Sequence, residues 1–349
     1  LAFWIDMFKK RNPHVFVFEH YVGMGAKSND HIDVILHLLH EIKQQTDINA
    51  HIPNKAEELE QSVNKWLGYL KDAPTLLVID SIDQLTSTSQ SLNWLPEVLP
   101  FNIKLLISTN IETAAEKWET TGNKILTVQP LTEREREALT VRYLSEYSKS
   151  LPAELVKHIA ADEKTATPLF LRILLEELRL HGQHESLSDI TKTLLNSANI
   201  DELFQHVLAR LEHSFNEKTV SAALSFLWVS RFGLAEDEIA ELCQISRVSL
   251  SALLSAFDYH LLRRNGLISF FHIYLRRAVE QRYLADKQNL SGITQQLATY
   301  FEQKVLANRG YYLHAKDKTQ TESLTTVDIE VQTRHIKELA WLFEYTGNI

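Results

Sequence analysis

The sequence is poor in cysteine: Cys243 is the only one among 349 residues. A single thiol can form neither a disulfide within the chain nor a cluster of thiolate metal ligands. Such usage is typical of a reducing compartment, and we expect a cytoplasmic protein. Runs of about 18 apolar residues, the length that crosses a bilayer, are also missing, so we expect no membrane association.

Positive charge is scarce as well. The chain has 36 Lys and Arg against 45 Asp and Glu, which gives a formal net charge of −9. Nonspecific binding of nucleic acid requires clustered basic residues. This balance argues against nucleic acid as a partner, although a local basic patch is compatible with it.

A glycine-rich phosphate loop is missing from the sequence. Its pattern, G-x-x-x-x-G-K-[ST], brings backbone N–H groups around a phosphate. Residues 23–28 (GMGAKS) come nearest, but Tyr21 and Ala26 stand where the two glycines belong. We interpret this segment as an ordinary turn between a strand and a helix. Both ends of the chain have the pattern of a helix interior, so we expect a fragment of a longer protein.

Short apolar runs separated by amphipathic helical patterns indicate an α/β sheet at the start of the chain. Residues 14–22, 75–80 and 103–108 are predicted strands, and residues 124–128 are a further, less regular one. Wholly apolar runs suit parallel strands that are buried on both faces. The alternation of strands and helices favours a three-layer, doubly wound parallel sheet.

After this α/β region the pattern becomes all-α. Residues 1–130 are the predicted α/β domain, and residues 131–212 are a predicted helical domain. Three short helical patterns and a hairpin that turns at Asn265-Gly266 predict a winged helix at 213–305. Residues 306–349 are a predicted linker with the start of a C-terminal helical region, for which TPR-type repeats are one interpretation.

The acidic end of the second predicted strand is the strongest candidate for a functional site. Four apolar residues predict that Asp80 lies at the carboxyl end of a buried strand, where α/β sheets bind ligands. In P-loop NTPases a carboxylate there holds Mg²⁺ below the phosphates, and Asp83, one turn on, could orient the attacking water. The alternative is a strand followed by a helix whose first turn carries acids that suit the helix dipole. Taken alone, the pattern favours neither.

Polar residues end the next predicted strand, with the sequence Ser108-Thr109-Asn110. A polar residue at this point commonly senses the γ-phosphate in the P-loop superfamily, which makes Thr109 and Asn110 candidate nucleotide-binding residues. The same residue types also cap helices well. Both interpretations remain open at this stage.

The order of these pieces resembles the signal-transducing P-loop NTPases of the STAND class, which include the NACHT proteins, and in particular their nephrocystin-like and telomerase-associated-protein-like members. The resemblance rests on the acidic strand, the polar-ended strand, the segment TATPLFLR at 165–172 and the hairpin that closes on FFH at 270–272. It covers roughly residues 1–305. It implies a P-loop NTPase sheet that lacks its first strand and its phosphate loop here.

The resemblance also implies roles for particular residues. Pro168 would pack against the adenine of ATP or ADP, and His272 would contact the β-phosphate and hold the ADP-bound state. Mg²⁺ would be held at Asp80. The segment with Arg134 and Arg136 resembles the start of the family's helical domain, although a solvated charged face is the more ordinary interpretation of these arginines.

Three positions depart from the family's pattern. Asn110 stands where an arginine is frequent, Ile273 where an acid often follows the histidine, and Ala166 where a glycine is conventional. These departures leave three hypotheses for the function. One is an ATP/ADP-dependent switch that assembles with protein partners or with itself, and another is a degenerate NTPase that serves as an interaction scaffold. The third is a DNA-binding regulator, which the single basic residue of the candidate recognition helix at 247–257 argues against.

Overall fold

A computed structural model describes residues 1–22, 30–85, 90, 92–96, 98–110, 124–181, 187–307 and 326–346. The chain forms two compact units, Leu1–Thr127 and Val128–Ile349. Each unit has its own buried apolar residues. The finer domain boundaries, at 130/131, 212/213 and 305/306, remain predictions.

The first unit is built on three parallel strands, which are β1 (Phe16–Tyr21), β2 (Thr75–Asp80) and β3 (Ile103–Ile107). Their order is β1-β2-β3, with Tyr21 beside Asp80 and Ile79 beside Ile107. β2 therefore has a strand on each side, and its residues 76–79 are buried, as a parallel strand covered on both faces requires. The predicted parallel sheet is confirmed.

The helices of the first unit are α1 (Ala2–Arg11), α2 (His31–Thr46) and α3 (Ala56–Gly68). Buried side chains of α2 and α3 pack with Leu77 and Ile79 of β2. Ile5 of α1 packs with Leu76 and Val78 instead. Because successive side chains of a strand point to opposite faces, the two sets of helices cover different faces of β2.

The predicted strand at 124–128 is wrong. Residues 124–130 have no regular secondary structure. Leu126 and Val128 are 85% and 87% exposed, whereas a strand inside a parallel sheet is buried on both faces. Among the described residues no strand pairs with this segment, and a strand needs such a partner for its backbone hydrogen bonds.

The second unit is mostly helical, as predicted. Its helices are α4 (Glu133–Ser145), α5 (Ala153–Ala161), α6 (Pro168–Leu180), α7 (Leu187–Leu195), α8 (Ile200–Phe215), α9 (Glu217–Val229), α10 (Glu236–Cys243), α11 (Arg247–Ser255), α12 (Ile273–Tyr283), α13 (Lys287–Ala307) and α14 (Thr326–Thr346). One core of buried apolar side chains extends from α4 to α14. In the part of the chain that the structure describes, no helix is both long and apolar enough to span a bilayer.

A small antiparallel sheet belongs to the second unit. Its strands are β4 (Leu234–Ala235), β5 (Leu261–Arg264) and β6 (Leu267–Phe270), in the order β4-β6-β5. Asn265 and Gly266 have φ values of 51° and 76°, the left-handed pair of a tight two-residue turn, so the predicted hairpin is confirmed. Gly233 precedes β4, and a Cβ there would lie 2.4 Å from the carbonyl oxygen of Ile268. The winged-helix assignment remains a prediction.

Buried charged groups attach α14 to the segment before β4. The carboxylate of Glu338, which is fully buried, accepts the N–H of Arg231 at 3.0 Å and that of Phe232 at 2.6 Å. Arg334, one turn earlier on the same helix, forms an ion pair with the carboxylate of Glu238. These bonds satisfy groups that burial would otherwise leave unpaired, and they fix how α14 packs.

We predict that Glu338→Gln destabilises the protein by about 1–3 kcal/mol, because the new amide NH₂ would face the N–H of Arg231 or of Phe232 and leave it without an acceptor. Burial raises the pKa of Glu338 from 4.5 to about 7. The folded state therefore holds this proton more tightly, and the stability that the group contributes is fully present below about pH 4.5 and is lost as the pH rises through about 7.

Chemical denaturation at about pH 5.5 and about pH 8 measures both effects. The gap in unfolding free energy between wild type and variant should narrow at the higher pH. Glu302→Gln, at an exposed position of α13, is the matched control. Equal stability of Glu338→Gln and wild type at both pH values would contradict the prediction.

Candidate functional site

The carboxyl edge of the parallel sheet carries the first of the two predicted acids. Asp80 is the last residue of the central strand and follows four buried apolar residues. Its backbone stays in the sheet, where its carbonyl accepts the N–H of Val22 at 3.0 Å, while its side chain is half-buried. Ser81 follows with a φ of 61°, a left-handed conformation that turns the chain away from the strand direction.

Ser108 holds this edge together. Its Oγ donates a hydrogen bond to Oδ1 of Asp80 and accepts the N–H of Ser81 at 2.8 Å. Its backbone N–H donates to the carbonyl of Ile79, and its carbonyl accepts the N–H of Ile82, both at 3.1 Å. One residue thus fixes both the carboxylate of Asp80 and the turn that follows it.

Asp83 lies in a single turn of 3-10 helix after β2. Its Oδ1 accepts the backbone N–H of Asn110 at 3.3 Å, and the side-chain amide of Gln90 donates to its carbonyl at 3.0 Å. The segments after β2 and after β3 therefore meet, and Thr109, in the segment after β3, is half-buried. The structure brings together Asp80, Asp83, Thr109 and Asn110 as neighbours at one edge of the sheet.

The donor atoms at this edge fit Mg²⁺ bound together with phosphate. Asp80 and Asp83 supply carboxylate oxygens, the ligands that Mg²⁺ prefers, and one or two carboxylates suffice when waters and phosphate oxygens complete the octahedron. Within the described ranges no group of three His, Cys, Asp or Glu residues could hold a metal ion.

Residues 23–28, interpreted from the sequence as an ordinary turn, lie outside the described residues. Tyr21, which stands at a glycine position of the phosphate-loop pattern, is the last residue of β1. Its hydroxyl donates to the carboxylate of Glu19 at 3.0 Å. Burial and the neighbouring Glu19 raise the pKa of Tyr21 to about 12, so its phenol stays protonated at neutral pH.

In the second unit, Pro168 is the exposed first residue of α6. The turn before it is held from within, since the buried Thr165 hydroxyl donates to the carbonyl of Ile159 at 2.7 Å. The guanidinium of Arg136 donates to the carbonyl of Asp162 at 2.7 Å. Arg136 therefore supports this turn, a role that neither of the sequence interpretations predicted.

His272 lies between β6 and α12 and is half-buried. Its ring packs edge-on against Phe271, with 4.3 Å between the ring centroids. Burial lowers the pKa of His272 to about 4, and the positive charge of Arg172 acts in the same direction. The ring is therefore neutral at pH 7, with one N–H donor and one acceptor nitrogen. Ile273, at the position where an acid often follows the histidine, is 53% exposed and apolar.

Cys243 does not have the properties of a nucleophile. It lies at the end of α10, and burial raises the pKa of its thiol to about 12. The reactive form of cysteine is the thiolate, which is then rare at neutral pH.

The predicted site residues fall into two groups that belong to different units. Sequence reasoning named Ser108 only as part of the polar end of its strand and did not predict its bond to Asp80. A signal was available, because Ser108 directly follows the apolar run at 103–107 just as Asp80 ends the run at 75–80. Aligning the ends of two neighbouring parallel strands would have paired these residues.

No protein-family model matches the chain. The chain is similar to several curated proteins: it is 27% identical over 348 residues to a TPR repeat-containing protein of Dictyostelium discoideum, covering 86% of this chain and 21% of that protein. It is 23% identical to mouse nephrocystin-3, covering 100% and 26%, and 26% identical to mouse telomerase protein component 1, covering 65% and 9%. The chain thus spans about a quarter or less of the length of these relatives.

Among solved structures, the chain is similar to a Walker-type ATPase of Pyrococcus abyssi, with a TM-score of 0.35, 11% identity and coverage of 78% of this chain and 93% of that one. It is also similar to Cdc6p of Pyrobaculum aerophilum, with a TM-score of 0.29, 12% identity and coverage of 80% and 93%. At TM-scores below 0.5 these similarities support no conclusion about fold or function.

We predict that Ser108→Ala lowers the unfolding free energy by about 1–3 kcal/mol, because the N–H of Ser81 and the carboxylate of Asp80 both lose their partner. Chemical denaturation measures this loss. Ser62→Ala is the matched control, since that hydroxyl bonds only to the Leu59 carbonyl of its own helix and should change stability much less. Equal effects of the two substitutions would show that Ser108 does not hold the edge.

Proposed function

We propose that this chain is the nucleotide-responsive part of a signalling protein of the STAND class. In this proposal it binds ATP or ADP with Mg²⁺, and slow hydrolysis controls an opening between domains that permits partner assembly. The observation that carries the proposal is the position of Asp80, held by Ser108 at the carboxyl end of the central parallel strand. That edge is where open α/β sheets bind their ligands.

The first unit would supply the metal site and the sensing residues. Asp80 would bind Mg²⁺, which neutralises charge on the β- and γ-phosphates, and Asp83 would orient the attacking water. Thr109 and Asn110 would respond to the γ-phosphate. Because Asp83 accepts the N–H of Asn110, a shift in the segment after β3 would reach Asp83 directly.

The second unit would supply contacts that distinguish the nucleotide states, as a switch requires. Pro168 is exposed at the start of α6, where it could pack against adenine. His272 offers a neutral N–H donor that suits a phosphate oxygen. Assignment of residues 213–305 as a winged helix is part of this proposal.

Protein partners are also part of the proposal. The Dictyostelium relative is named for TPR repeats. Stacked helical repeats of this kind form extended concave surfaces that bind other chains. We infer that the nucleotide-responsive part acts together with such a binding region.

The second candidate is a degenerate NTPase that serves only as an interaction scaffold. Two observations favour it: Asn110 stands where the family frequently has an arginine, and the exposed Ile273 stands where an acid often follows the histidine. The TPR name of the Dictyostelium relative is equally compatible with this candidate.

A DNA-binding role for the predicted winged helix has less support. Arg247, the basic residue of the candidate recognition helix, pairs with Asp237 at 2.9 Å. Arg263, in the hairpin, pairs with Asp258 at 2.9 Å and also with Glu236. Arginines that are already paired with carboxylates have less charge to offer a phosphate backbone.

We predict that Asp80→Ala in the full-length protein lowers Mg²⁺-dependent ATP hydrolysis on the order of a hundredfold, because a bound metal stabilises the transition state by several kcal/mol. Steady-state phosphate release measures this loss. Asp72→Ala, which removes an exposed carboxylate of the same unit, is the control and should leave the rate unchanged. Full turnover by Asp80→Ala would reject the assignment, and a wild-type protein that hydrolyses no ATP would favour the scaffold.

A further inference from the structure

Arg172 and Arg179 of the second unit lie near the ring of Tyr259, and both Arg179 and Arg210 are paired with buried acids. Arg210 binds the buried carboxylate of Glu177 through two hydrogen bonds, at 2.6 and 2.9 Å. Arg179 binds the buried carboxylate of Glu176 at 2.7 Å. Arg172 is exposed, and within the described part of the chain it forms neither an ion pair nor a hydrogen bond.

The guanidinium of Arg172 is positioned by Tyr259. Its central carbon lies 5.7 Å from the centroid of that ring, while the guanidinium of Arg179 lies 5.4 Å from the same centroid. The ring is itself anchored, because the hydroxyls of Tyr259 and Tyr147 are hydrogen-bonded at 2.8 Å. A cation held over an anchored ring keeps its N–H groups available to a ligand.

A short path of bonded residues joins this arginine to His272. His260 follows Tyr259, and its carbonyl accepts the N–H of Phe271 at 3.0 Å. His272 is the next residue, packed against the ring of Phe271. The positive charge of Arg172 contributes to lowering the pKa of both histidines. Burial first, and then the nearby positive groups, lower the pKa of His260 to about 3 and that of His272 to about 4.

Arg172 is also aligned with Pro168. The two residues are four apart on α6, and residues at this spacing lie on the same face of a helix. Both are exposed. One surface of the second unit thus combines an apolar ring at the helix start with an arginine one turn further on.

We propose that Arg172 binds the phosphate groups of the nucleotide beside His272, so that the second unit carries a diphosphate site of its own. This inference rests on the proposed function for the identity of the ligand as a nucleotide. Arginine presents several N–H donors in a planar fork that matches two phosphate oxygens, and the neutral histidine ring adds one more donor.

The test compares ADP, adenosine and inorganic pyrophosphate as ligands of the full-length protein, by isothermal titration calorimetry. Arg172→Gln should weaken ADP and pyrophosphate binding about 10- to 100-fold, the effect of losing a hydrogen bond to a charged group. Adenosine has no phosphate, so its affinity should stay the same. Arg172→Lys keeps the charge but not the fork and should fall between wild type and Arg172→Gln.

Two further variants separate binding from folding. Arg142→Gln, which removes a guanidinium that is 81% exposed on α4, should change neither affinity nor stability. Tyr259→Leu, which removes the ring under Arg172, should weaken ADP binding less than Arg172→Gln does. Thermal unfolding of every variant shows whether the fold is intact.

The outcomes distinguish this inference from the proposed function. Unchanged ADP and pyrophosphate affinities in Arg172→Gln would overturn the diphosphate site, as would an equal loss of adenosine affinity. If the wild-type protein binds no ADP, the proposed function fails, and the pyrophosphate measurements alone decide on the site. Absence of both ADP and pyrophosphate binding to the wild type would overturn both.

Discussion

The pairing of β2 with a parallel strand on each side is the constraint on which the first unit depends. That pairing satisfies the backbone of β2 on both edges, and the apolar residues 76–79 are buried on both faces. The chain cannot place a carboxylate inside such a strand without a large desolvation cost. Asp80 is the first position of β2 at which an acid is tolerated, so the apolar run must end at the carboxyl edge of the sheet.

The second unit, unlike the first sheet, buries several acidic side chains. Its buried acids each have a basic or backbone partner, as Glu177 has in Arg210 and Glu338 has in two N–H groups. Such pairing makes these groups part of the packing, because a buried charge that lost its partner would be costly. Arg172 differs from these groups, because it is exposed and its guanidinium lies over the ring of Tyr259.

Asp80 and the turn before Pro168 are each held by a residue that is distant in the sequence. Ser108 is 28 positions from Asp80, yet its hydroxyl bonds that carboxylate because β3 lies beside β2 in parallel register. Arg136 supports the turn before Pro168 through a carbonyl 26 positions away. In both cases the residue that holds the site in place comes from a different element than the predicted site residue.

The sequence by itself determined the elements whose pattern is local. The apolar run at 75–80, the Asn265-Gly266 turn and the helical periodicity after residue 130 each reflect side-chain burial or backbone preference within a few residues. Only the tertiary structure decided which apolar segments pair with a neighbouring strand. Residues 124–128 have an apolar pattern but no partner strand in the described chain. The contacts of Ser108 with Asp80 and of Arg172 with Tyr259 join distant segments. Burial and hydrogen bonding depend on which distant segments come into contact, and the local pattern of the sequence does not determine those contacts.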